Sequence, residues 1–341
     1  MRIGIEHGSG GIETWNLLEK LVLSKLPPHL RKVLDGFGTD VLDDGAYLGS
    51  STKIVLTMDS YTVNPLRFPG GSLGTLAACG TINDLVVMGA RPLAAMDSIV
   101  VAEGMEIDEV DTIVKDMIDV FARYGIALIG GDLKVMPRNS LDSMIITVAG
   151  IGVAKHVVRD SVREGDKIIV TGPIAEHGAV ILAAQLGMLD QVKDLRSDVK
   201  PLIDTLLPVI EEYGSYVHAA RDPTRGGLAV TLNEWVRGTD LTIVIDRSAI
   251  PIREEVKNFL DALGIDPLTV ACEGVAVLAV DPRVAEEIVE ELRKRGERMA
   301  TIVGEVKKFS NPVAHGKVVA ITEVGGRTIV EPRALNLPRI C

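Results

Sequence analysis

The chain has 341 residues, of which 47% are hydrophobic and 24% charged, and its formal net charge at pH 7 is −11. These values are typical of a globular protein long enough for two domains. The acidic charge argues against nucleic acid as a partner. The chain has neither a secretory signal pattern nor an apolar run that could cross a bilayer, so we expect a soluble cytoplasmic protein without a membrane partner.

In the first half of the chain, strand patterns and helix patterns alternate. A glycine-rich run at 7–11 comes first, and its backbone N–H groups could face a phosphate, although such a run also suits a flexible N-terminus. Apolar periodicity then predicts strands over 53–58, 93–101, 126–131 and 144–153, and helices over 73–88 and 109–123. We therefore expect an N-terminal α+β or α/β domain over residues 1–155.

The second half repeats the same order of elements. Its patterns predict strands over 167–171, 217–221, 241–245 and 274–280, two last strands around 325–326, and helices over 178–186, 199–213, 227–237 and 284–295. This predicts a C-terminal α/β domain over residues 156–331. The remaining segment, 332–341, contains two prolines and no periodic pattern, which favours an extended, flexible tail.

The three cysteines are an odd number without CxxC spacing, which argues against a disulfide framework and a structural zinc site. Cys79 and Cys272 lie in apolar runs and are predicted core residues. Cys341 ends the chain and the tail, where a thiol is accessible. The thiol is either reactive or simply the end of a solvated tail, and the tail alone does not distinguish the two.

Six aspartates form the strongest chemical pattern. Asp59, Asp132 and Asp222 each end an apolar strand pattern, Asp43 and Asp44 precede the first predicted strand, and Asp84 lies on the buried stripe of a predicted helix. Buried carboxylates are costly unless cations compensate them, and too few basic residues lie nearby. Carboxylates at strand ends suit magnesium ions that bridge phosphates. Each aspartate could instead cap a turn, but Asp84 is not at a cap.

Several motifs resemble the signature of the aminoimidazole ribonucleotide synthetase-like ATP enzymes, which include selenophosphate synthetase and thiamine monophosphate kinase. They are DDGA at 43–46, TMDS at 57–60, ND at 83–84, GGD at 130–132 and DPTRGGL at 222–228. Further motifs resemble the HypE family of hydrogenase maturation proteins within that superfamily. These are PGG at 69–71, GTINDL at 80–85, MGA at 88–90, VHA at 217–219 and the terminal PRIC at 338–341.

The resemblance implies a two-domain enzyme that forms a homodimer and binds ATP and Mg²⁺ in its N-terminal domains. It implies that Cys341 accepts a carbamoyl group from the carbamoyltransferase HypF. ATP then drives dehydration of this thiocarbamate to a thiocyanate. The cyano group passes to iron in the HypC–HypD complex and becomes a ligand of the [NiFe]-hydrogenase centre.

The resemblance also implies roles for individual residues. Asp43, Asp59, Asp84, Asp132 and Asp222 would hold the metal, and Gly10, Gly11, Asp44 and Asn83 would contact the nucleotide. Lys134 would contact a phosphate or the developing oxyanion. The general base is not identified by the pattern: Glu273, in an apolar run, is one candidate, although it could be a packed structural carboxylate, and His218 is a weaker one.

Two other functions remain open from the sequence. The first is another ATP-dependent synthetase or kinase of the same superfamily that acts on a small molecule, for which Cys341 would be dispensable. The second is a non-enzymatic scaffold whose acidic site holds a metal and whose terminal cysteine tethers a partner.

Overall fold

The structure is a computed structural model that describes residues 11–333, except 22, 26, 33, 34, 42 and 50, together with residue 340. Gly10 and Cys341 lie outside the described residues, as does most of the predicted tail. No helix in the described part of the chain has the length and apolar character needed to span a membrane.

The described residues contain helices and strands in the following order. The helices are α1 Gly11–Leu21, α2 Leu73–Val87, α3 Ile107–Arg123, α4 Glu176–Gln185, α5 Leu207–Tyr213, α6 Gly227–Val236, α7 Glu254–Ala262 and α8 Ala285–Lys294. The strands are β1 Ala46–Tyr47, β2 Ile54–Tyr61, β3 Arg67–Phe68, β4 Gly71–Ser72, β5 Ala90–Ala102, β6 Ala127–Met136, β7 Met144–Ala154, β8 Lys167–Val170, β9 Val217–Arg221, β10 Thr242–Asp246, β11 Val277–Val280, β12 Thr301–Lys307, β13 Lys317–Ile321 and β14 Arg327–Val330.

The first sheet has the strand order β1-β2-β7-β5-β6 and carries α2 on its inner face. The Ser72 hydroxyl caps α2 by accepting a hydrogen bond from the Thr75 N–H at 3.4 Å. Two glycines let neighbours approach α2 closely. A Cβ on Gly74 would lie 1.8 Å from the Ile113 carbonyl of α3, and a Cβ on Gly80 would lie 2.6 Å from the Tyr61 ring. The helix is therefore buried on nearly all sides.

The second sheet has the strand order β14-β13-β10-β12-β8-β11-β9. The β10–β13 pair is parallel, and the other pairs are antiparallel. The apolar core is continuous from one sheet to the other, because α2 contacts α5 and β9. The site described below lies where α2 meets the second domain.

The structure differs from the predicted elements at several places. The helix expected over 199–213 begins only at Leu207, because the residue before a proline disfavours helical backbone and Pro201 lies in the stretch. Helix α7 and strand β12 were not predicted. The strand expected to end at Asp132 continues to Met136, and β2 continues past Asp59 to Tyr61.

Candidate active site

A cavity of about 630 Å³ lies between the two domains and is lined by six aspartates. They are Asp43, Asp44, Asp59, Asp84, Asp160 and Asp222. A smaller adjoining pocket shares Asp59, Asp84 and Asp222 and adds Glu273. The structure thus brings together Glu273 and five of the aspartates that the sequence singled out.

Asp84 reaches the cavity from the buried face of α2. Its carboxylate accepts a hydrogen bond from the Thr57 hydroxyl of β2 at 2.6 Å. Burial raises the pKa of Asp84 well above its ordinary value, and the neighbouring charges of Asp222 and Asp59 raise it further. The helix places this acid where water cannot solvate its charge.

The other acids of the cavity have the same character. Burial, and then the charge of Asp160, raise the pKa of Asp43 to about 7. Burial and the charge of Asp59 raise the pKa of Asp222 to about 7. The cavity therefore carries more negative charge at neutral pH than it can stabilise by itself.

Arg221 is the main counter-charge in this cluster. Its guanidinium lies 2.7 Å from Asp160, 2.9 Å from Glu234 and 3.4 Å from Asp44. Arg225 adds a second guanidinium, 3.4 Å from Asp59. Two guanidinium groups do not neutralise six carboxylates and Glu234, so the cavity can accept a further cation.

The donor set fits magnesium. One carboxylate oxygen of Asp44 and one of Asp222 are buried and have no hydrogen-bond partner among the described residues. Such oxygens are the ligands that a hard cation prefers. The described residues contain no group of three acidic, histidine or cysteine side chains that could hold an ion by themselves. A usual magnesium site has only one or two protein carboxylates, which share the ion with phosphates and water.

Asp132 and Lys134 do not reach this cavity within one chain. The row of paired residues across the first sheet is Asp59, Val148, Asp97 and Gly131. Three strand spacings of about 4.8 Å therefore place the β6 backbone next to Asp132 about 14 Å from that of Asp59. Asp132 instead lines a separate, mainly apolar cavity of about 700 Å³ beside α3.

Strand β6 is an edge strand with exposed apolar side chains. Ile129, Leu133 and Val135 are each more than 60% exposed. A long edge strand with apolar side chains is an uncommon feature of a monomer, because it offers a ready template for association.

Asn83 and Glu273 meet where α2 packs against the second domain. The Asn83 amide donates to the carbonyl oxygens of Lys200 at 3.0 Å and Glu273 at 3.1 Å, and its oxygen accepts from the Leu202 N–H at 2.8 Å. These bonds occupy the amide group, so Asn83 orients the Glu273 backbone. The Glu273 side chain is 1% exposed.

Two other candidates, His218 and Gly11, do not line this cavity. His218 is buried and pairs with Asp166, at 2.8 Å between Nδ1 and the carboxylate. Gly11 is the buried first residue of α1, and the same helix places Thr14 and Trp15 on the wall of the cavity.

Comparisons with known proteins agree with this architecture. The profile of the AIR synthase related protein, N-terminal domain, matches residues 42–154, and that of its C-terminal domain matches residues 163–317. Carbamoyl dehydratase HypE of Rhodobacter capsulatus is 36% identical over all of this chain and 98% of its own. A putative hydrogenase expression/formation protein of Methanocaldococcus jannaschii is 40% identical, with both chains covered completely. The chain belongs to the HypE family.

Two solved structures of HypE proteins have the same fold. A crystal structure of hydrogenase maturation protein HypE in complex with ATP is 33% identical, with a TM-score of 0.80 and both chains covered completely. A HypE–HypF complex contains a chain that is 31% identical, with a TM-score of 0.79, 93% of this chain covered and 99% of that one. The fold class and the resemblance expected from the motifs are confirmed.

In this member of the HypE family, sequence reasoning missed Asp160, Arg221 and Asp198. Arg221 directly precedes Asp222, so the sequence itself indicated that Arg221 lies near the acids. Asp160 follows the first domain in an irregular segment, and no periodic pattern marks it. Asp198 accepts backbone hydrogen bonds from His177, Glu273 and Gly274, a role that only the folded chain reveals.

The raised pKa values predict a pH-dependent response to magnesium. Asp43 and Asp222 bind protons more tightly in the folded chain than at their ordinary value of 3.8, so without divalent cations their contribution to stability falls as the pH rises from about 4 through about 7. We expect Mg²⁺ to raise Tm by several degrees at pH 8 and by much less near pH 5, where protons occupy the carboxylates. Thermal unfolding in MgCl₂, with NaCl of equal ionic strength as the control, measures this. Equal increments at both pH values would contradict it.

Proposed function

We propose that this protein dehydrates a carbamoyl group on the Cys341 thiol to a thiocyanate at the expense of ATP, and so supplies the cyanide ligand of [NiFe]-hydrogenase in the cytoplasm. Membership in the HypE family and the similarity to a HypE that binds ATP support the proposal. The observation that carries it is the pocket in which the Glu273 carboxyl lies with Asp59, Asp84 and Asp222. In this pocket a candidate base lies next to the acids that would bind the phosphates, as a single reaction of both would require.

The reaction needs phosphoryl transfer followed by elimination. The carbonyl oxygen of the thiocarbamate takes the γ-phosphoryl group of ATP, which turns a poor leaving group into phosphate. Loss of phosphate and of both N–H protons leaves S–C≡N, with ADP as the second product. Glu273 accepts one proton from nitrogen and the departing phosphate carries the other. Burial of Glu273 excludes water that would hydrolyse the intermediate.

The acids of the cavity prepare the nucleotide for this transfer. Asp44 and Asp222, with their unpartnered oxygens, would hold the magnesium ion that offsets phosphate charge during transfer. Asp43, Asp59 and Asp84 complete the acid wall. Thr57 holds Asp84 in place, and Asn83 holds the Glu273 backbone.

We further propose that a second copy of the chain completes the site. Asp132 and Lys134 lie on the exposed apolar edge strand β6, about three strands from the acids of their own chain. Pairing of this strand with the part of the β2 edge that β1 leaves open in a second copy would bring Lys134 to the partner's site. Lys134 then stabilises the oxyanion or a phosphate.

The carbamoyl donor in this scheme is HypF, and the cyanide acceptor is the HypC–HypD complex. The existence of a HypE–HypF complex supports the first assignment, since that HypE is 31% identical to this chain. The terminal PRIC segment is the part that reaches both partners.

The decisive experiment follows the mass of the C-terminal peptide. We expect carbamoylated HypF to add about 43 Da to it, and Mg·ATP to convert this adduct to a gain of about 25 Da, the change from S–H to S–C≡N. Cys341→Ser should show neither gain and should still bind ATP. The control Cys79→Ala, which replaces a buried cysteine, should behave like the wild type.

Each rival function predicts a different outcome of this experiment. A small-molecule synthetase or kinase leaves Cys341 unmodified and turns over ATP in the Cys341→Ser variant with its own substrate. A scaffold shows no ATP turnover with any donor. Either result would overturn the proposal.

A further inference from the structure

His177 forms a directed hydrogen bond to the end of the chain. The side chain is fully buried in the first turn of α4, and its Nε2 lies 2.6 Å from the carbonyl oxygen of Ile340. A carbonyl oxygen only accepts, so Nε2 carries the proton. Burial lowers the pKa of His177 to about 4, which keeps the ring neutral at physiological pH.

The other ring nitrogen is oriented by Ser197. His177 Nδ1 lies 2.8 Å from the Ser197 hydroxyl, and that hydroxyl oxygen accepts the Val199 N–H at 3.1 Å. The hydroxyl proton is therefore available to Nδ1, and the tautomer that donates to Ile340 is the one this arrangement stabilises.

The side chain of Ile340 also makes specific packing contacts. It is partly buried and packs against the apolar core. A Cβ on Gly178 would lie 3.1 Å from Ile340 Cδ1 and 2.4 Å from Val270 Cγ1. Only glycine at position 178 leaves the space that the isoleucine approaches.

Asp198 links the backbone of His177 to the backbone of Glu273, the candidate base. One oxygen of its buried carboxylate accepts the His177 N–H at 3.0 Å. The other accepts the N–H groups of Glu273 at 3.0 Å and Gly274 at 2.9 Å. Asn83 holds the opposite side of the Glu273 peptide. The start of α4 and the loop that carries Glu273 are thus fixed to one carboxylate.

We propose that His177 is a positioning residue that holds the C-terminal segment through the Ile340 carbonyl. We call the binding place formed by His177, Gly178 and Val270 the seat, and we propose that Asp198 fixes it next to Glu273. The inference rests on the proposed function and deepens it. Because Cys341 follows Ile340 directly, seating Ile340 restricts where the terminal thiol and its carbamoyl group can lie. The contact with Gly178 and the apolar core suits an aliphatic side chain at position 340.

Two substitutions of His177 distinguish the role of Nε2 from that of Nδ1. Gln at position 177 puts an amide N–H near the place of Nε2 and keeps a donor for Ile340, whereas Asn reaches only the place of Nδ1. We expect carboxypeptidase to release Ile340 from His177→Asn at least about fivefold faster than from the wild type, and from His177→Gln within about twofold of the wild type. If a folded His177→Asn variant released Ile340 at the wild-type rate, His177 would not hold Ile340 and the proposal would be wrong.

A second measurement does not depend on the His177 variants. In methyl-labelled wild-type protein, the Ile340 δ-methyl resonance, assigned with Ile340→Leu, should show nuclear Overhauser contacts to the Gly178 α-protons. A sharp resonance at a random-coil position without these contacts would overturn the proposal even if both His177 variants failed to fold.

The catalytic consequence is tested in a single turnover. His177→Asn should slow conversion of the carbamoyl adduct to thiocyanate by about tenfold with unchanged ATP affinity, and His177→Gln should restore most of the rate. Altered Ile340 release with unchanged dehydration would overturn the positioning role. If the wild type itself performs no dehydration, the proposed function fails, while the release and resonance measurements still decide the seat.

Discussion

Glu273→Gln is expected to lower the single-turnover rate of thiocyanate formation by about 10²–10⁴-fold and to leave ATP affinity nearly unchanged. The amide has the shape of the carboxyl group but cannot accept the proton that the nitrogen must lose. The carboxyl is 1% exposed and shares its pocket with Asp59, Asp84 and Asp222, so solvent does not substitute for it. Rapid quenching followed by mass measurement of the C-terminal peptide gives the rate.

The matched control is Glu305→Gln, the same change on β12, where the carboxylate pairs with Lys167 at 3.1 Å. It should react at the wild-type rate. A Glu273→Gln rate within about threefold of the wild type would mean that Glu273 is a packed structural carboxylate, and another group would then have to be the base.

Lys134→Ala should be nearly as damaging, with a loss of about 10²–10³-fold, if its ammonium group stabilises the oxyanion or a phosphate. The expected site of action is the partner subunit, because β6 is three strands from β2 in its own chain. Coexpression of Lys134→Ala with Glu273→Gln should then recover about a quarter of the wild-type activity. Half of the dimers are mixed, and each mixed dimer contains one intact site.

Differently tagged subunits allow the mixed dimers to be purified and assayed directly. Lys115→Ala, which removes an exposed lysine of α3 that pairs with Asp119, is the control and should have no effect. No recovery in purified mixed dimers would show that Lys134 does not act across the interface.

Local sequence patterns were sufficient for much of the fold. The period of apolar residues located β2, β5, β7 and most helices, because one buried face requires a period of two in strands and near 3.6 in helices. The same reasoning placed Asp84 on a buried face of α2, which the structure confirms. It failed over 199–213, where prolines interrupt a run of suitable apolar spacing.

The site could be predicted only in part. The aspartates were recognised individually, and five of them line the cavity next to the pocket that contains Glu273. Asn83 was recognised too, but its hydrogen bonds go to backbone groups more than a hundred residues away, which no local pattern encodes. His177 and Asp198 likewise have their roles through contacts with residues far along the chain, 163 and 75 positions away.

The amino-acid order alone placed Asp84 on a buried helix face and supplied the motifs that place the chain in the HypE family, because periodicity and short motifs are local properties. Tertiary structure alone decided which of those carboxylates meet. Asp59 and Asp132 look equivalent along the chain, yet the order β2-β7-β5-β6 puts one in the cavity and the other near the opposite edge of the sheet. Strand order depends on long-range pairing, and its energy comes from contacts between residues far apart in sequence.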